Sequence, residues 1–292
     1  MSKNQDKGLY IITLIIVFLS LLTTSIGLFY TTGGEAYSFM NQYGDIVKMY
    51  GDGLYAYDSY FVAPIFRGTD FTMLCLAIPL LITALVLDIK KRQLKNRIFL
   101  MSVMAVFTYY SASIAFGITY NILHLAYIAL FSASLFGLIM AFRSIDEKRV
   151  ADRMGNGLPS KGVNIFLVIT GIALIMVWLP DILTSLAAGR SLALIEVYTT
   201  SVTNVIDMGV IAPVAFISYS QLKKRNGMGY ILLGMLLTVC CVFGIMLPVQ
   251  TLFQELAGID LPPAVVIVKV ASFVVLGFFA LYFNVKFYKD MK

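Results

Sequence analysis

Charge, histidine and cysteine are all scarce in this chain. Of its 292 residues 13% are charged, against about 25% in an ordinary soluble domain, while 59% are hydrophobic and the mean hydropathy is +0.85. The single histidine, His124, excludes a bis-histidine haem and any multi-histidine metal centre built from this chain alone. Cys75, Cys240 and Cys241 all fall within hydrophobic runs. The adjacent pair would point about 100° apart on a helix, so neither a disulfide framework nor a zinc site is supported. No H-E-x-x-H and no G-x-S-x-G occurs, which removes the usual signatures of a zinc protease and of a serine hydrolase. Linkers, low-complexity tracts and internal repeats are missing too, and with them the inverted-repeat signature common in secondary transporters. The expectation is one integral membrane domain over 1–292, with no cofactor and no metal.

What the chain has in quantity is long apolar runs. A hydrocarbon core about 30 Å thick needs roughly 20 apolar residues per helix, and only helices or closed barrels satisfy their own backbone groups inside it. The runs are continuous rather than alternating, so the fold class is all-α: a polytopic transmembrane helical bundle. About eight spans are expected, at 9–30, 70–89, 98–118, 122–142, 164–186, 199–222, 229–253 and 262–286. The first run is too long for a signal-peptide core and reads as an uncleaved span. Residues 119–121 make the third and fourth spans an antiparallel hairpin.

Orientation follows from Lys and Arg, which favour cytoplasmic loops. With both termini inside, eighteen of the 22 basic residues lie on the cytoplasmic side and ten of the sixteen acids lie outside or in the outer leaflet. The net charge of +6 thus divides into two faces, about +12 inside and −6 outside. The basic balance speaks of topology and anionic lipid, not of nucleic acid. The setting is a cell membrane, with the bilayer as first partner.

Intramembrane ionisable residues are costly and point to function by default. Counting about 20 residues from each cytoplasmic end puts Asp207, Lys269, Asp181 and His124 at one height in the outer third, beneath a loop at 31–69. Two readings stay open: Lys269 pins helices by pairing with Asp207 or Asp181 or snorkels to headgroups, or the groups line an outward-facing pocket with the loop as lid. Thr200, Thr203 and Asp207 follow i, i+3, i+7 and share one helical face. That face suits a cation, a substrate hydroxyl or an interhelical hydrogen-bond seam. Thr108, Tyr109, Tyr110, Ser111 and Ser113 read as interhelical hydrogen-bonding residues. Pro79, Pro180, Pro213 and Pro248 each free a carbonyl four residues earlier.

The polar loop carries Y-G-D twice, at 43–45 and 50–52, then G-L-Y-A-Y-D-S-Y-F. Tyr50, Tyr55, Tyr57 and Tyr60 beside Asp52 and Asp58 suit sugars or organic cations, or form an interfacial aromatic belt; the belt is the preferred reading. The acids do not match a calcium loop. Asp70 reads as the N-cap of the second span, and Arg67 as a partner for Asp58.

The segment G-x-G-L-Y-x-x-D-S at 51–59, R-G-T-D at 67–70, F-S-A-S-L-F at 131–136 and Y-T-T-x-V-T-x-x-x-D-x-G-V-I-A-P at 198–213 resemble a family of bacterial multi-pass membrane proteins with no assigned activity. The resemblance implies a bacterial membrane protein and lends no reaction. From the residues, the first reading is a binder or transporter of a small extracytoplasmic ligand, with Asp58, Arg67, His124, Asp181, Thr203, Asp207 and Lys269 as candidate site residues. Two alternatives stand beside it. One is an embedded enzyme acting on a lipid-linked or glycan substrate at the outer leaflet, with Asp58, Asp207 or His124 in acid/base work. The other is an accessory subunit that docks a partner on its loop.

Overall fold

The apolar runs fold as helices, and 76% of the chain is helical in the computed structural model, which describes residues 3–154, 158, 160–263 and 266–291. In chain order the helices are α1 (Lys3–Phe29), α2 (Ala63–Lys91), α3 (Leu94–Gly117), α4 (His124–Arg143), the short α5 (Glu147–Arg153), α6 (Lys161–Ala188), α7 (Val202–Lys223), α8 (Gly227–Leu256) and α9 (Ser272–Asp290). Among the described residues, seven helices are long and apolar enough to cross a membrane: all of these except α5 and α9. The chain is a multi-pass membrane protein. In the run expected at 262–286 a π-helical stretch, Val266–Ala271, leads into α9.

Local signals set the helix ends. Ser160 caps α6 by accepting from the Val163 N–H, Asn226 caps α8 through Met228 N–H, and Asp146 caps α5 through Lys148 and Arg149 N–H. Gly189, at φ +61°, ends α6 in the left-handed conformation. Pro64 stands at the start of α2, where a proline's missing N–H would be unpaired in any case. Arg67 to Asp70 are consequently helical, not loop. Asp70 is therefore not an N-cap: it sits in mid-helix, fully buried, and accepts from Tyr55 Oη and from Tyr110 Oη (3.0 Å).

Two of the four interior prolines follow a widened turn. In α2 the π-helical Met73–Ala77 closes with Ile78 N–H on the Met73 carbonyl, just before Pro79; in α7 Asp207–Ile211 closes with Ala212 N–H on the Asp207 carbonyl, just before Pro213. The wider turn gives the carbonyl four residues before each ring, on Cys75 and Gly209, room to move aside. Pro180 and Pro248 lie within α-helical stretches.

Glycines set the close crossings. A Cβ on Gly68 of α2 would meet the backbone of Gln250 in α8, and one on Gly244 of α8 would meet the Cα of Gly277 in α9. Such small-residue contacts let helix backbones approach closely in lipid.

At one face of the bundle Arg97 joins three helix ends. It pairs with Asp6 of α1 (2.8 Å) and Asp88 of α2 (2.8 Å), and donates to Ser144 Oγ after α4 (3.1 Å). Read from the sequence as one more loop charge, Arg97 is instead a three-element staple.

The opposite face carries residues 30–62, which include a hairpin that the all-α reading did not anticipate: β1 (Tyr37–Met40) pairs antiparallel with β2 (Ile46–Met49). Its turn is the first Y-G-D. Asn41 Oδ1 accepts from Tyr43 and Asp45 N–H, and Gly44 has φ +86°. The second Y-G-D is used differently. Its Asp52 Oδ1 accepts from Thr32 and Gly33 N–H, closing the loop on its own start.

Candidate functional site

Asp207, a carboxylate in an apolar run, has to find donors or water, and it finds both a tyrosine and the chain's one tryptophan. It opens the π-turn of α7, is 5% exposed, and each of its oxygens accepts one hydrogen bond: Oδ1 from Tyr109 Oη of α3 (2.8 Å), Oδ2 from Trp178 Nε1 of α6 (2.9 Å). Both donors are neutral. Asp207 therefore ties three helices together and forms the wall of a cavity of about 240 Å³.

That cavity is mostly apolar. Phe66 and Thr69 of α2, Tyr109 and Ser113 of α3, Trp178 of α6, Thr203 of α7, Phe243 and Gln250 of α8, and Phe273 of α9 contribute to it. The Tyr109 ring packs edge-on against Phe243 (centroids 4.5 Å apart), which fixes the phenol that reaches Asp207. Gln250 Nε2 donates to Thr69 Oγ1 (2.7 Å), and Ser113 Oγ donates to the Tyr109 carbonyl (3.0 Å). A wider cavity of about 520 Å³ adjoins it on the loop side and shares Ile65, Trp178, Leu247 and Gln250 with it. Asp181, Ser185, Arg190 and Asn204 line this second space, and residues 30–62 contribute Phe61.

The sequence-selected residues separate into groups. Thr203 and Asp207 line the inner cavity, and Asp181 the adjoining one. The backbone of Lys269 lies in the Val266–Ala271 stretch, whose Val266 and Val270 face the outer cavity, while its side chain lies outside the described residues. Thr200 does not share a helical face with Thr203, because α7 begins at Val202.

Arg67, Asp58 and His124 line neither cavity. Arg67 donates to Tyr50 Oη (2.6 Å) and to the Leu28 carbonyl (3.1 Å), so the expected pairing with Asp58 is not made. A helical Arg67 points along α2 toward the end of α1. His124 opens α4 beside the Tyr120 ring (5.2 Å) at the α3–α4 corner. Of the three acid/base candidates, Asp207 lines the inner cavity, and Asp58 and His124 line neither of the two.

Asp58 is instead the knot of the loop face. Fully buried, its Oδ1 accepts from Thr119 N–H (3.0 Å) and Tyr198 Oη (2.9 Å), while Oδ2 has no hydrogen-bond partner. Burial pushes its carboxyl up to about 6, against the pull of the Thr119 and Tyr198 donors. Asn41 Nδ2 adds a bond to the Glu196 carbonyl (2.7 Å), and Gln42 Nε2 one to that of Tyr198 (2.9 Å). Of the loop's tyrosines, Tyr55 is buried on Asp70, Tyr50 and Tyr60 are half-buried against each other, and Tyr37, Tyr43 and Tyr57 are exposed.

Trp178, Gln250 and Thr69 were not selected from the sequence. Trp178 is an aromatic in an apolar run and Gln250 a lone amide, and neither breaks hydropathy as a carboxylate does. No protein-family model, curated protein or solved structure matches this chain.

Proposed function

We propose that this protein binds a small ligand from the extracytoplasmic side in the cavity around Asp207, as a transporter or transporter-like receptor. One observation carries the reading: a buried carboxylate, held among the described residues by two neutral donors, faces a mostly apolar cavity that adjoins a wider one toward the loop face. Pockets of this make-up, largely apolar with a few convergent polar groups, are the usual form of small-molecule sites. The reading takes eight spans, counting 262–286 as the last, with both termini cytoplasmic in a bacterial cell membrane and the loop face outside. It also takes the resemblance at 51–59 and 198–213 as that of one bacterial membrane family. An enzymatic reading has less support, since its candidate acids and base do not converge.

Thermal unfolding of the purified protein tests it, against a panel of amines, sugars, inorganic cations and lipid headgroups. A ligand at about a hundred times its Kd stabilises by about 2.7 kcal/mol. At least one class should raise the Tm of the wild type and leave Asp207→Asn unmoved. Silence across the panel, with a stoichiometric partner co-purifying, would favour the accessory-subunit alternative.

A further inference from the structure

We infer that the Asp207 cavity selects a small organic monocation: an amine or methylated ammonium carried on an apolar, preferably aromatic, frame. The inference rests on the ligand-binding reading above and names the class of ligand.

Four features converge on it. A carboxylate has about four lone-pair sites, and Asp207 uses two, on Tyr109 and Trp178. The remaining capacity is open to a donor in the cavity. Among the described residues the hydrogen bonds of Asp207 run to Tyr109 and Trp178, and the Arg97 pairs with Asp6 and Asp88 lie near the opposite face, so no described basic side chain is paired with Asp207. Tyr109 and Trp178 touch the carboxylate, and the rings of Phe66, Phe243 and Phe273 line the same cavity. Carboxylate and aromatic faces together recognise an ammonium group by charge and by cation–π attraction.

Rival ligands fit less well. A sugar needs many hydrogen-bonding partners, but the Gln250 amide and the Ser113 hydroxyl already donate to Thr69 and to the Tyr109 carbonyl. A bare metal ion needs six or more oxygen ligands for calcium, or a near-octahedral set for magnesium, which a largely apolar wall with one carboxylate does not supply. An anion would meet Asp207 directly. With about 240 Å³, the inner cavity is smaller than the 300–1,000 Å³ usual for drug-sized ligands. The ligand is correspondingly small.

Three probes on one frame make the test: 2-phenylethylammonium, 2-phenylethanol and 3-phenylpropanoate, titrated at pH 7 against the full chain in lipid nanodiscs. The ammonium should bind at least tenfold tighter than the alcohol, and the carboxylate should not bind. Asp207→Asn should bring the ammonium down to the level of the alcohol, while Lys269→Met keeps the preference. Equal binding of ammonium and alcohol by the wild type would overturn the cation inference and leave the binding reading standing. A preference gained only in Lys269→Met would also overturn it, since Lys269 would then be the native counter-ion. Silence from all three probes overturns it as well, and the broader panel then decides the binding reading separately. The wild-type comparison holds even if a variant folds poorly.

Discussion

Three aspartates are buried at or near the loop-face half of this protein, and each is handled differently. Asp207 is held by a phenol and an indole, Asp70 by two phenols, and Asp58 by a backbone amide and a phenol with one oxygen left over. Asp58 gives a pH signature. Its folded pKa, about 6, lies above the ordinary 3.8. Between roughly pH 4 and 6 the folded protein keeps a proton that the unfolded chain has released. The Asp58 contribution to stability should then fall as pH rises through that window and level off above about 7. At 1.36 kcal/mol per pH unit the charged form costs about 3 kcal/mol. Melting temperatures from pH 4 to 8 check this: the wild type declines, and the decline is shallower in Asp58→Asn. An equal slope in both would assign the decline to another group. Asp207 was legible because a carboxylate interrupts a hydrophobic run. Asp70 was misread because it stands where the hydropathy changes, although Pro64 had already begun the helix.

Elements were legible to the extent that length and apolarity define them. Seven long helices follow from the runs. The β1–β2 hairpin does not, because four-residue strands are too short to show alternation. The π-turns before Pro79 and Pro213 leave no trace in composition. The glycine of R-G-T-D has its explanation in packing, as Gly68 is where α2 meets the α8 backbone. Gly68→Ala should force the two helices apart and destabilise by about 1–3 kcal/mol, as overpacking does, readable as a lowered Tm with unchanged helical circular dichroism. Arg97 acts between elements too, because it fastens α1, α2 and α3 together. Arg97→Met leaves the buried Asp88 uncompensated, and breaking such a pair should destabilise by about 3–5 kcal/mol. A variant that melts within about 1 kcal/mol of the wild type would show the staple to be idle.

Across the bundle, the asymmetry of charge and the asymmetry of structure coincide. The face with the Arg97 staple holds the clusters at 90–97 and 223–225, whereas the acidic loop face is the side on which the two cavities adjoin. In a cysteine-free background, Tyr57→Cys, at an exposed position, should react with an impermeant thiol reagent in intact cells, and Asp152→Cys only after lysis. The reverse pattern would invert the topology. Charge bias made the two faces legible. The cavity was not, since it is formed by side chains from six helices whose meeting no single segment records.

Everything proposed for this protein turns on whether Asp207 guards a cavity reachable from the loop face. In the same cysteine-free background, Thr203→Cys places a thiol on the cavity wall beside Asp207. Its rate of modification by a small ammonium methanethiosulfonate, relative to the sulfonate analogue, reads both access and charge. Applied from outside, the cationic reagent should react faster, and that advantage should vanish when Asp207→Asn is added. A thiol that reacts with neither reagent, or with both at ratios unchanged by Asp207→Asn, would refute the role given to this carboxylate.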